Sequence, residues 1–257
     1  MNIALIGYGR MGKMIEQIAR SQGHSVNAVV DPFFSSSING VKIFNSIAEV
    51  DFSSVDAAIE FTQPDKAVEN IIALAQRRIP VVAGTTGWFD RLNEAADAVK
   101  SADSSLLWAS NFSLGVNMFY RIAWYAAELA DNFSEYDAGG FESHHNKKMD
   151  SPSGTAKTLA EGVLSKLKRK NKIVYETLNR RPEADELHFP SLRMGSVPGV
   201  HSLFFDSQAD TIEITHTARS REGFASGALR AAQWLTEKKR SGVFTIDDMM
   251  KDLFKEN

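Results

Sequence analysis

A chain of 257 residues has room for one or two domains, and its hydrophobic content of 43% is ordinary for a folded protein. The formal net charge of −3 argues against nucleic acid as a partner, and the absence of cysteine excludes disulfides and thiolate chemistry. The apolar run at the N-terminus spans only Ile3–Ile6, too short for a signal peptide, and no stretch has the about 20 apolar residues of a membrane span. We therefore expect a soluble, cytoplasmic protein with no membrane partner.

Short apolar runs alternate with segments of helical period through the first half of the sequence. The predicted strands are Asn2–Ile6, Ser25–Val30, Ala57–Phe61, Pro80–Ala83 and Leu106–Ala109. The predicted helices are Met11–Gln22, Asp65–Arg77 and Trp88–Lys100. Because strands that alternate with helices form parallel sheets covered on both faces, we predict a Rossmann-like, doubly wound parallel sheet of the α/β class.

The second half has strands that follow one another without a helix between them. Its predicted strands are Tyr136–His144, Ile173–Thr177, Val200–Asp206 and Thr211–Thr217. Its predicted helices are Val116–Ala130, Gly154–Lys170, Phe224–Lys238 and Thr245–Phe254. Consecutive strands of this kind indicate an α+β domain with an open, mixed sheet.

The motif GYGRMG follows the first predicted strand and begins the first predicted helix. Gly7, Gly9 and Gly12 have the G-x-G-x-x-G spacing of dinucleotide-binding turns, in the strand–turn–helix context that this motif requires. The first glycine permits the tight turn, the second lets the pyrophosphate approach the backbone, and the third lets the helix pack on the strand. The helix N-terminus then offers N–H groups to the phosphates. A glycine-rich turn without a ligand is the alternative interpretation.

Asp31 stands at the end of the second predicted strand, where dinucleotide-binding domains have a carboxylate. Such a carboxylate accepts hydrogen bonds from the adenosine ribose and repels a 2′-phosphate, which favours NADH. Arg10 and Lys13 act in the opposite sense, because either side chain could reach a phosphate. The stretch Pro32–Phe34 is apolar and lacks the basic side chain that would favour NADPH. We expect NADH to be favoured, with some use of NADPH.

Two further loops follow predicted strands of the first half. FTQP, at Phe61–Pro64, comes after AAIE, and GTTG, at Gly84–Gly87, comes after PVVA. Open parallel sheets bind their ligands at the carboxyl ends of the strands, so small and hydroxyl residues there can line a nicotinamide pocket. Ordinary loop chemistry is the alternative.

The stretch ESHHNKKMDSPSGTA, from Glu142 to Ala156, collects two histidines and two lysines just before a predicted helix. A metal site is not predicted here. Adjacent residues on a strand point to opposite faces, so His144 and His145 would not bind one ion, and the sequence has no H-E-x-x-H spacing.

General acid chemistry fits this stretch better. His144 can donate and regain a proton near neutral pH, and Lys148 adds a positive charge. Ser153, Gly154 and Thr155 stand at the start of the predicted helix, where hydroxyl and N–H groups bind anions. The cluster would hold a substrate carboxylate. In the alternative interpretation His144 packs in the sheet, the lysines are solvated and Ser153 only caps the helix.

These motifs resemble the dihydrodipicolinate reductase family in the same order along nearly the whole chain. The matching stretches are GYGRMG, FTQP, GTTG, ASNFSLGVN at Ala109–Asn117, ESHHNKKMDSPSGTA, and EITHTARSREGFASGALRAAQWL at Glu213–Leu235. The resemblance implies an NAD(P)H-dependent oxidoreductase of lysine and diaminopimelate biosynthesis. It would reduce 4-hydroxy-tetrahydrodipicolinate, through its dehydrated form, to tetrahydrodipicolinate.

The same resemblance implies roles for individual residues. His144 and Lys148 would be the catalytic pair, and the substrate would be bound by His145, Ser153, Gly154 and Thr155. The implied cofactor-binding residues are Gly7, Gly9, Arg10, Met11, Gly12, Asp31, Phe61, Thr62, Gly84, Thr85, Thr86, Ser110, Asn111 and Phe112.

The resemblance also implies a domain plan and an assembly. Residues 1–111 and 221–257 would form the dinucleotide-binding domain, and residues 112–220 the domain that binds the dicarboxylate substrate and joins a homotetramer.

Two other classes of function stay open at this point. One is a different Rossmann-fold dehydrogenase for a small carboxylate, a sugar or an amino acid, such as an aspartate-dehydrogenase-like enzyme. It would share GYGRMG and Asp31 but would not need PSGTA after paired histidines. The other is a non-catalytic nucleotide sensor, which would have no need of a proton donor.

Overall fold

The computed structural model describes residues 1–34 and 40–255, which form two compact units. The first unit takes the chain up to Ser113 and again from Glu222, and the second unit is Leu114–Arg221. The first unit is therefore made from both ends of the chain. No helix within the described ranges is both long and apolar enough to cross a membrane.

The first unit is built on a seven-stranded sheet in the order β13-β6-β5-β4-β1-β2-β3. Its strands are β1 (Asn2–Ile6), β2 (Ser25–Val30), β3 (Ile43–Phe44), β4 (Ala57–Glu60), β5 (Val81–Ala83), β6 (Ser105–Trp108) and β13 (Gly242–Thr245). Each neighbouring pair is parallel, as the alternating sequence pattern predicts. All the carboxyl ends, with the loops that follow them, therefore lie at one edge of the sheet.

Helices cover both faces of this parallel sheet. They are α1 (Arg10–Ser21), α2 (Pro64–Ala75), α3 (Leu92–Ser101), α6 (Glu222–Glu237) and α7 (Ile246–Lys255). Ala4 and Ile6 pack in a core with apolar residues of α2 and α3. Ile3 and Leu5 alternate with them along β1 and so point to the other face, where they are equally buried. The predicted doubly wound architecture is thus confirmed.

The second unit contains a six-stranded mixed sheet. Its strands are β7 (Asp137–His144), β8 (Lys172–Val174), β9 (Glu186–His188), β10 (Ser191–Arg193), β11 (Val200–Asp206) and β12 (Thr211–Thr217). The main order is β12-β11-β7-β9-β8, and β10 pairs with β7. The pairs of β11 with β12 and with β7 are antiparallel, whereas β7–β9, β8–β9 and β7–β10 are parallel. The predicted open mixed sheet is confirmed.

Two helices, α4 (Leu114–Ala130) and α5 (Gly154–Leu164), pack on one face of the mixed sheet. The prediction that α5 continues to Lys170 is wrong. The backbone N–H of Lys168 donates to Asp131 Oδ1 at 2.8 Å, and Leu167 turns into the core. These contacts outside the helix replace the hydrogen bonds that would have extended it.

Candidate functional site

The glycine loop between β1 and α1 is closely packed at two positions and open at a third. Gly7 has a φ of +91°, and a Cβ there would lie 2.2 Å from the carbonyl oxygen of Phe61. A Cβ on Gly12 would lie 2.3 Å from the carbonyl oxygen of Gly7. A Cβ on Gly9 would meet nothing within 4 Å, and Gly9 is the residue before α1. The loop therefore leaves an open cradle at the N-terminus of α1, which suits a bound pyrophosphate.

The Asp31 carboxylate is buried at the end of β2 and bonds the backbone of two loops. Its Oδ2 accepts the N–H of Tyr8 at 2.7 Å, and its Oδ1 accepts the N–H of Phe33 at 2.9 Å. Asp31 therefore holds the glycine loop in place. Each oxygen of an ionised carboxylate has a further lone pair, so these bonds leave acceptor capacity for ribose hydroxyls. Its role toward the ribose stays a prediction.

The two basic residues of the glycine motif have different surroundings. Arg10 is exposed at the first position of α1. The Lys13 ammonium lies 5.0 Å from the centre of the Phe34 ring, and that ring meets Tyr8 edge-on. Met11 is half-buried beside them in the sequence. Lys13 is exposed as well, so the two cations differ in this aromatic contact.

A buried carboxyl joins the two loops that follow β4 and β5. Glu60 Oε1 accepts the N–H of Thr62 and the hydroxyl of Thr85, each at 3.0 Å, and also the Thr62 hydroxyl. Thr62 N–H also donates to Thr85 Oγ1 at 2.8 Å. Glu60 is fully buried, and among the described residues its Oε2 has no hydrogen-bond partner. Burial raises the pKa of Glu60, although the hydroxyl bonds act against that rise.

Aromatic rings line the same edge of the sheet. Phe61 lies directly across Gly84, where a Cβ would be 2.1 Å from the ring, and the ring of Phe112 is 6.2 Å away. Thr86 and Ser110 are exposed at this edge, and Asn111 Oδ1 accepts the N–H of Ser113 at 2.9 Å. All the predicted cofactor-binding residues therefore follow β1, β2, β4, β5 or β6 within one unit, with Arg10, Met11 and Gly12 in the first turn of α1 and the others outside the helices.

The second cluster stands on the helix-covered face of the mixed sheet. Glu142 and His144 are two residues apart on β7 and share this face, and His201 on β11 is the direct partner of Glu142 across the antiparallel pair. Arg193 on β10 is the parallel partner of His144. The sheet register therefore gathers residues from three strands that are far apart in the sequence.

Glu142 is the centre of this cluster. It is fully buried, and its Oε2 bonds His144 Nδ1. Its Oε1 accepts from the Arg193 guanidinium at 2.8 Å and from the N–H of Ser153 at 3.2 Å. Burial would raise the pKa of Glu142, but the hydrogen bonds from His144 and Arg193 outweigh it and lower the pKa to about 2.

His201 is a second buried imidazole beside the first. Its ring lies 5.2 Å from that of His144, edge to face, and its Nε2 is 3.2 Å from the Ser153 hydroxyl. Burial, followed by the repulsion between the two imidazoles when both are protonated, lowers the pKa of His201 to about 4. His201 is therefore neutral near pH 7.

The remaining predicted residues lie in the segment from β7 to α5. Lys148 Nζ forms an ion pair with Asp150 Oδ1 at 2.7 Å, and His145 Nδ1 is buried without a hydrogen-bond partner among the described residues. Ser153 is the N-cap of α5, with its hydroxyl accepting the N–H of Ala156 at 3.1 Å. Gly154 is exposed and Thr155 is half-buried in the first turn. The start of α5 therefore has the open backbone that an anion needs.

Glu142, His144 and His201 could in principle hold a metal ion, since one ligand atom of each lies within 4.8 Å of the others. The same atoms already bond one another and Ser153, and the Arg193 cation contacts the carboxylate. A neighbouring guanidinium opposes a bound cation, so the cluster fits a proton-transfer network better. That the chain binds no metal stays a prediction.

Four residues of these clusters had no role in the sequence analysis: Glu60, Glu142, Arg193 and His201. The i, i+2 spacing of Glu142 and His144 on a strand was available as a signal. For Arg193 and His201 the sequence carried none, because their position depends on which strands pair.

Two family models match consecutive parts of the chain. The model described as "Dihydrodipicolinate reductase, N-terminus" matches residues 1–112, and the one described as "Dihydrodipicolinate reductase, C-terminus" matches residues 115–250.

Similar proteins carry a related name. A protein of Christiangramia forsetii named 4-hydroxy-tetrahydrodipicolinate reductase is 41% identical, covering 99% of this chain and 100% of its own length. One of the same name from Archaeoglobus fulgidus is 37% identical, covering 98% of this chain and 100% of its own. A solved structure, the dipicolinate-bound dihydrodipicolinate reductase from Paenisporosarcina sp. TG-14, superposes with a TM-score of 0.77. At 20% identity, covering 95% of this chain and 97% of that one, it shows the shared fold.

Proposed function

Because the chain belongs to the dihydrodipicolinate reductase family, we propose that it is an NAD(P)H-dependent oxidoreductase that reduces 4-hydroxy-tetrahydrodipicolinate, through its dehydrated form, to tetrahydrodipicolinate. This places it in lysine and diaminopimelate biosynthesis. The observation that carries the proposal is the match of two models of this family, which together cover residues 1–112 and 115–250. The glycine cradle and the buried Glu142–His144 pair supply the chemistry that such a reaction needs.

The chain's own residues would bind the substrate and supply its proton. Lys148 and the start of α5, at Ser153, Gly154 and Thr155, would hold carboxylates by charge and by N–H and hydroxyl donors. His145 would add a further contact. A bound reduced nicotinamide supplies the hydride. His144 would then donate one proton to the electron-rich ring carbon, so that one hydride and one proton together saturate one double bond.

The proposal also covers where the dinucleotide binds and which of NADH and NADPH is preferred. The proposed dinucleotide-binding domain, residues 1–111 and 221–257, would bind the cofactor, with the cradle at Gly9 receiving the pyrophosphate. NADH would be favoured because the Asp31 carboxylate lies at the end of β2, where it would repel a 2′-phosphate. Exposed Arg10 would permit some use of NADPH.

A homotetramer in the cytoplasm completes the proposal. Residues 112–220 would join the copies, since the face of the mixed sheet away from α4 and α5 carries the stacked rings of Phe141 and Phe204, 6.0 Å apart. That face also has a cavity of about 390 Å³. Apolar groups of this kind on a sheet face are suited to cover by another chain.

The test is consumption of NADH and of NADPH by the purified protein when it is supplied with 4-hydroxy-tetrahydrodipicolinate made freshly by a coupled synthase. We expect loss of nicotinamide absorbance that requires both protein and substrate, faster with NADH. Cofactor binding without turnover would instead support a nucleotide sensor. Oxidation of an amino acid by NAD⁺, with no reduction of the ring substrate, would support another dehydrogenase.

A further inference from the structure

We propose that Glu142 is the positioning residue of His144. It holds the imidazole with Nδ1–H toward its own carboxylate, so that Nε2 is the nitrogen that gives a proton to the substrate. This inference rests on the proposed function, because it assigns a direction to the proton transfer made by His144.

The geometry around Glu142 fixes its carboxylate in one orientation. Its Oε1 is bonded at 2.8 Å by Arg193 and at 3.2 Å by the N–H of Ser153, which leaves Oε2 directed at His144 Nδ1. The side chain is completely buried, so water does not compete for these bonds. A carboxylate held by two donors on one oxygen is a rigid acceptor at the other.

An ionised carboxylate accepts hydrogen bonds and donates none. The low pKa of Glu142, about 2, keeps it ionised at working pH. Nδ1 of His144 must therefore be the protonated nitrogen of the neutral ring, as in other imidazoles that a buried carboxylate orients. Nε2 is then free to gain and lose the proton that the reaction uses.

A glycine packs against the far side of the His144 ring, where any side chain would collide with Nε2. Gly199 has a φ of +154°, and a Cβ there would lie 2.9 Å from His144 Nε2. The Glu142 network also reaches the other proposed catalytic residue. Arg193 donates to the carbonyl oxygen of Asp150 at 2.8 Å, and the carboxylate of Asp150 pairs with Lys148. One buried carboxylate thus orients the imidazole and steadies the segment that carries the lysine.

The kinetic experiment compares Glu142→Gln with the matched control Glu186→Gln in the full chain. Glu186 is also a buried glutamate of the mixed sheet, with Arg180 at 2.7 Å, Lys172 at 3.1 Å and the N–H of Glu183 at 3.0 Å. We expect Glu142→Gln to lower kcat about 100-fold while the KM for NADH stays within about twofold. Glu186→Gln should keep kcat within about threefold of the unchanged protein.

The second readout is the tautomer of His144, taken from ¹⁵N chemical shifts of its ring, assigned with His144→Gln. The unchanged protein and Glu186→Gln should show a protonated Nδ1, and Glu142→Gln should show a mixture of tautomers. If Glu142→Gln does not fold, Glu142→Asp replaces it in the experiment. This variant keeps the negative charge beside Arg193. Because its carboxylate is one methylene shorter, it should still lose kcat and the fixed tautomer.

The outcomes separate this inference from the proposed function. A wild-type kcat in Glu142→Gln, or a His144 ring whose tautomer does not change, would overturn the positioning role. An unchanged protein that does not reduce the ring substrate at all would overturn the proposed function. In that case the ¹⁵N shifts still decide whether Glu142 holds the imidazole.

Discussion

Glu60 and Thr85 join two neighbouring strand ends through a single hydrogen bond of 3.0 Å from the threonine hydroxyl to the buried carboxyl. The same oxygen also accepts the N–H of Thr62, so one side chain ties together the loops after β4 and β5. These are the loops proposed to line the nicotinamide pocket, and their shape therefore depends on a group that titrates.

Glu60→Gln is expected to change how stability depends on pH. Burial raises the pKa of Glu60, so the folded state binds a proton that the unfolded state has lost above about pH 4.5. The contribution of Glu60 is therefore fully present below that pH and falls by up to about 1.4 kcal/mol per pH unit until the folded-state pKa is passed. The glutamine variant should lack this loss.

Urea unfolding between pH 5 and pH 8 tests this expectation. The difference in unfolding free energy between Glu60→Gln and the unchanged protein should move in favour of the variant as the pH rises. Glu69→Gln is the matched control, because Glu69 is half exposed on α2, where Arg91 lowers its pKa. Parallel curves for Glu60→Gln and the unchanged protein would contradict the prediction.

Gly9→Ala and Gly12→Ala should separate ligand binding from folding. A Cβ on Gly12 would overlap the backbone of Gly7, so this variant should lose about 1–3 kcal/mol of unfolding free energy. A Cβ on Gly9 meets no protein atom, so Gly9→Ala should lose no more than about 1 kcal/mol. It should instead raise the KM for NADH about tenfold, because the methyl group fills the cradle. If Gly9→Ala and Gly12→Ala lost the same unfolding free energy, the prediction that Gly9 borders open space would be wrong.

Asp31→Ala should weaken the binding of NADH more than the binding of NADPH. The variant loses a carboxylate that would bond ribose hydroxyls and repel a 2′-phosphate. It also leaves the N–H groups of Tyr8 and Phe33 without their acceptor, which costs about 1–3 kcal/mol of stability. Asp56→Ala is the comparison for the loss of a loop carboxylate elsewhere in the same unit, because exposed Asp56 also accepts a backbone N–H, that of Asn2 at 2.7 Å. If Asp31→Ala weakened the binding of NADPH more than that of NADH, the proposed role of Asp31 would be wrong.

His144→Ala and Lys148→Ala should each lower turnover about 100-fold, the usual contribution of proton donation and of charge placed at the reacting group. Lys147→Ala is the matched control, since Lys147 is the exposed neighbour of Lys148 and carries the same charge. Steady-state kinetics with the fresh ring substrate measures all three variants. Full turnover in both His144→Ala and Lys148→Ala would remove the catalytic pair from the proposal.

Strands whose residues alternate or are wholly apolar could be predicted well from the sequence. The predictions for β1, β2, β11 and β12 coincide with the observed bounds, because local pattern and burial agree there. Four short strands were not predicted. They are β3, β9, β10 and β13, of two to four residues each, and such runs carry too few positions for a period to show.

The catalytic candidates could be named from one contiguous motif, but the groups that act on them could not. Glu142 lies inside that motif, whereas Arg193 and His201 come from strands more than 45 residues further along. Their approach to Glu142 follows from the pairing of β10 and β11 with β7, which is a tertiary property. In the same way, the role of Glu60 depends on hydrogen bonds from Thr62 and Thr85, which form only in the folded sheet.

The first unit is assembled from the two ends of the chain, and this sets an order on its folding during synthesis. The parallel sheet receives β13 beside β6, and α6 packs against α1, only after residues 222–245 have left the ribosome. The second unit, by contrast, is complete in the sequence at Arg221. A nascent chain can therefore complete its mixed sheet first, and β6 stays an edge strand of the parallel sheet until β13 has been synthesised.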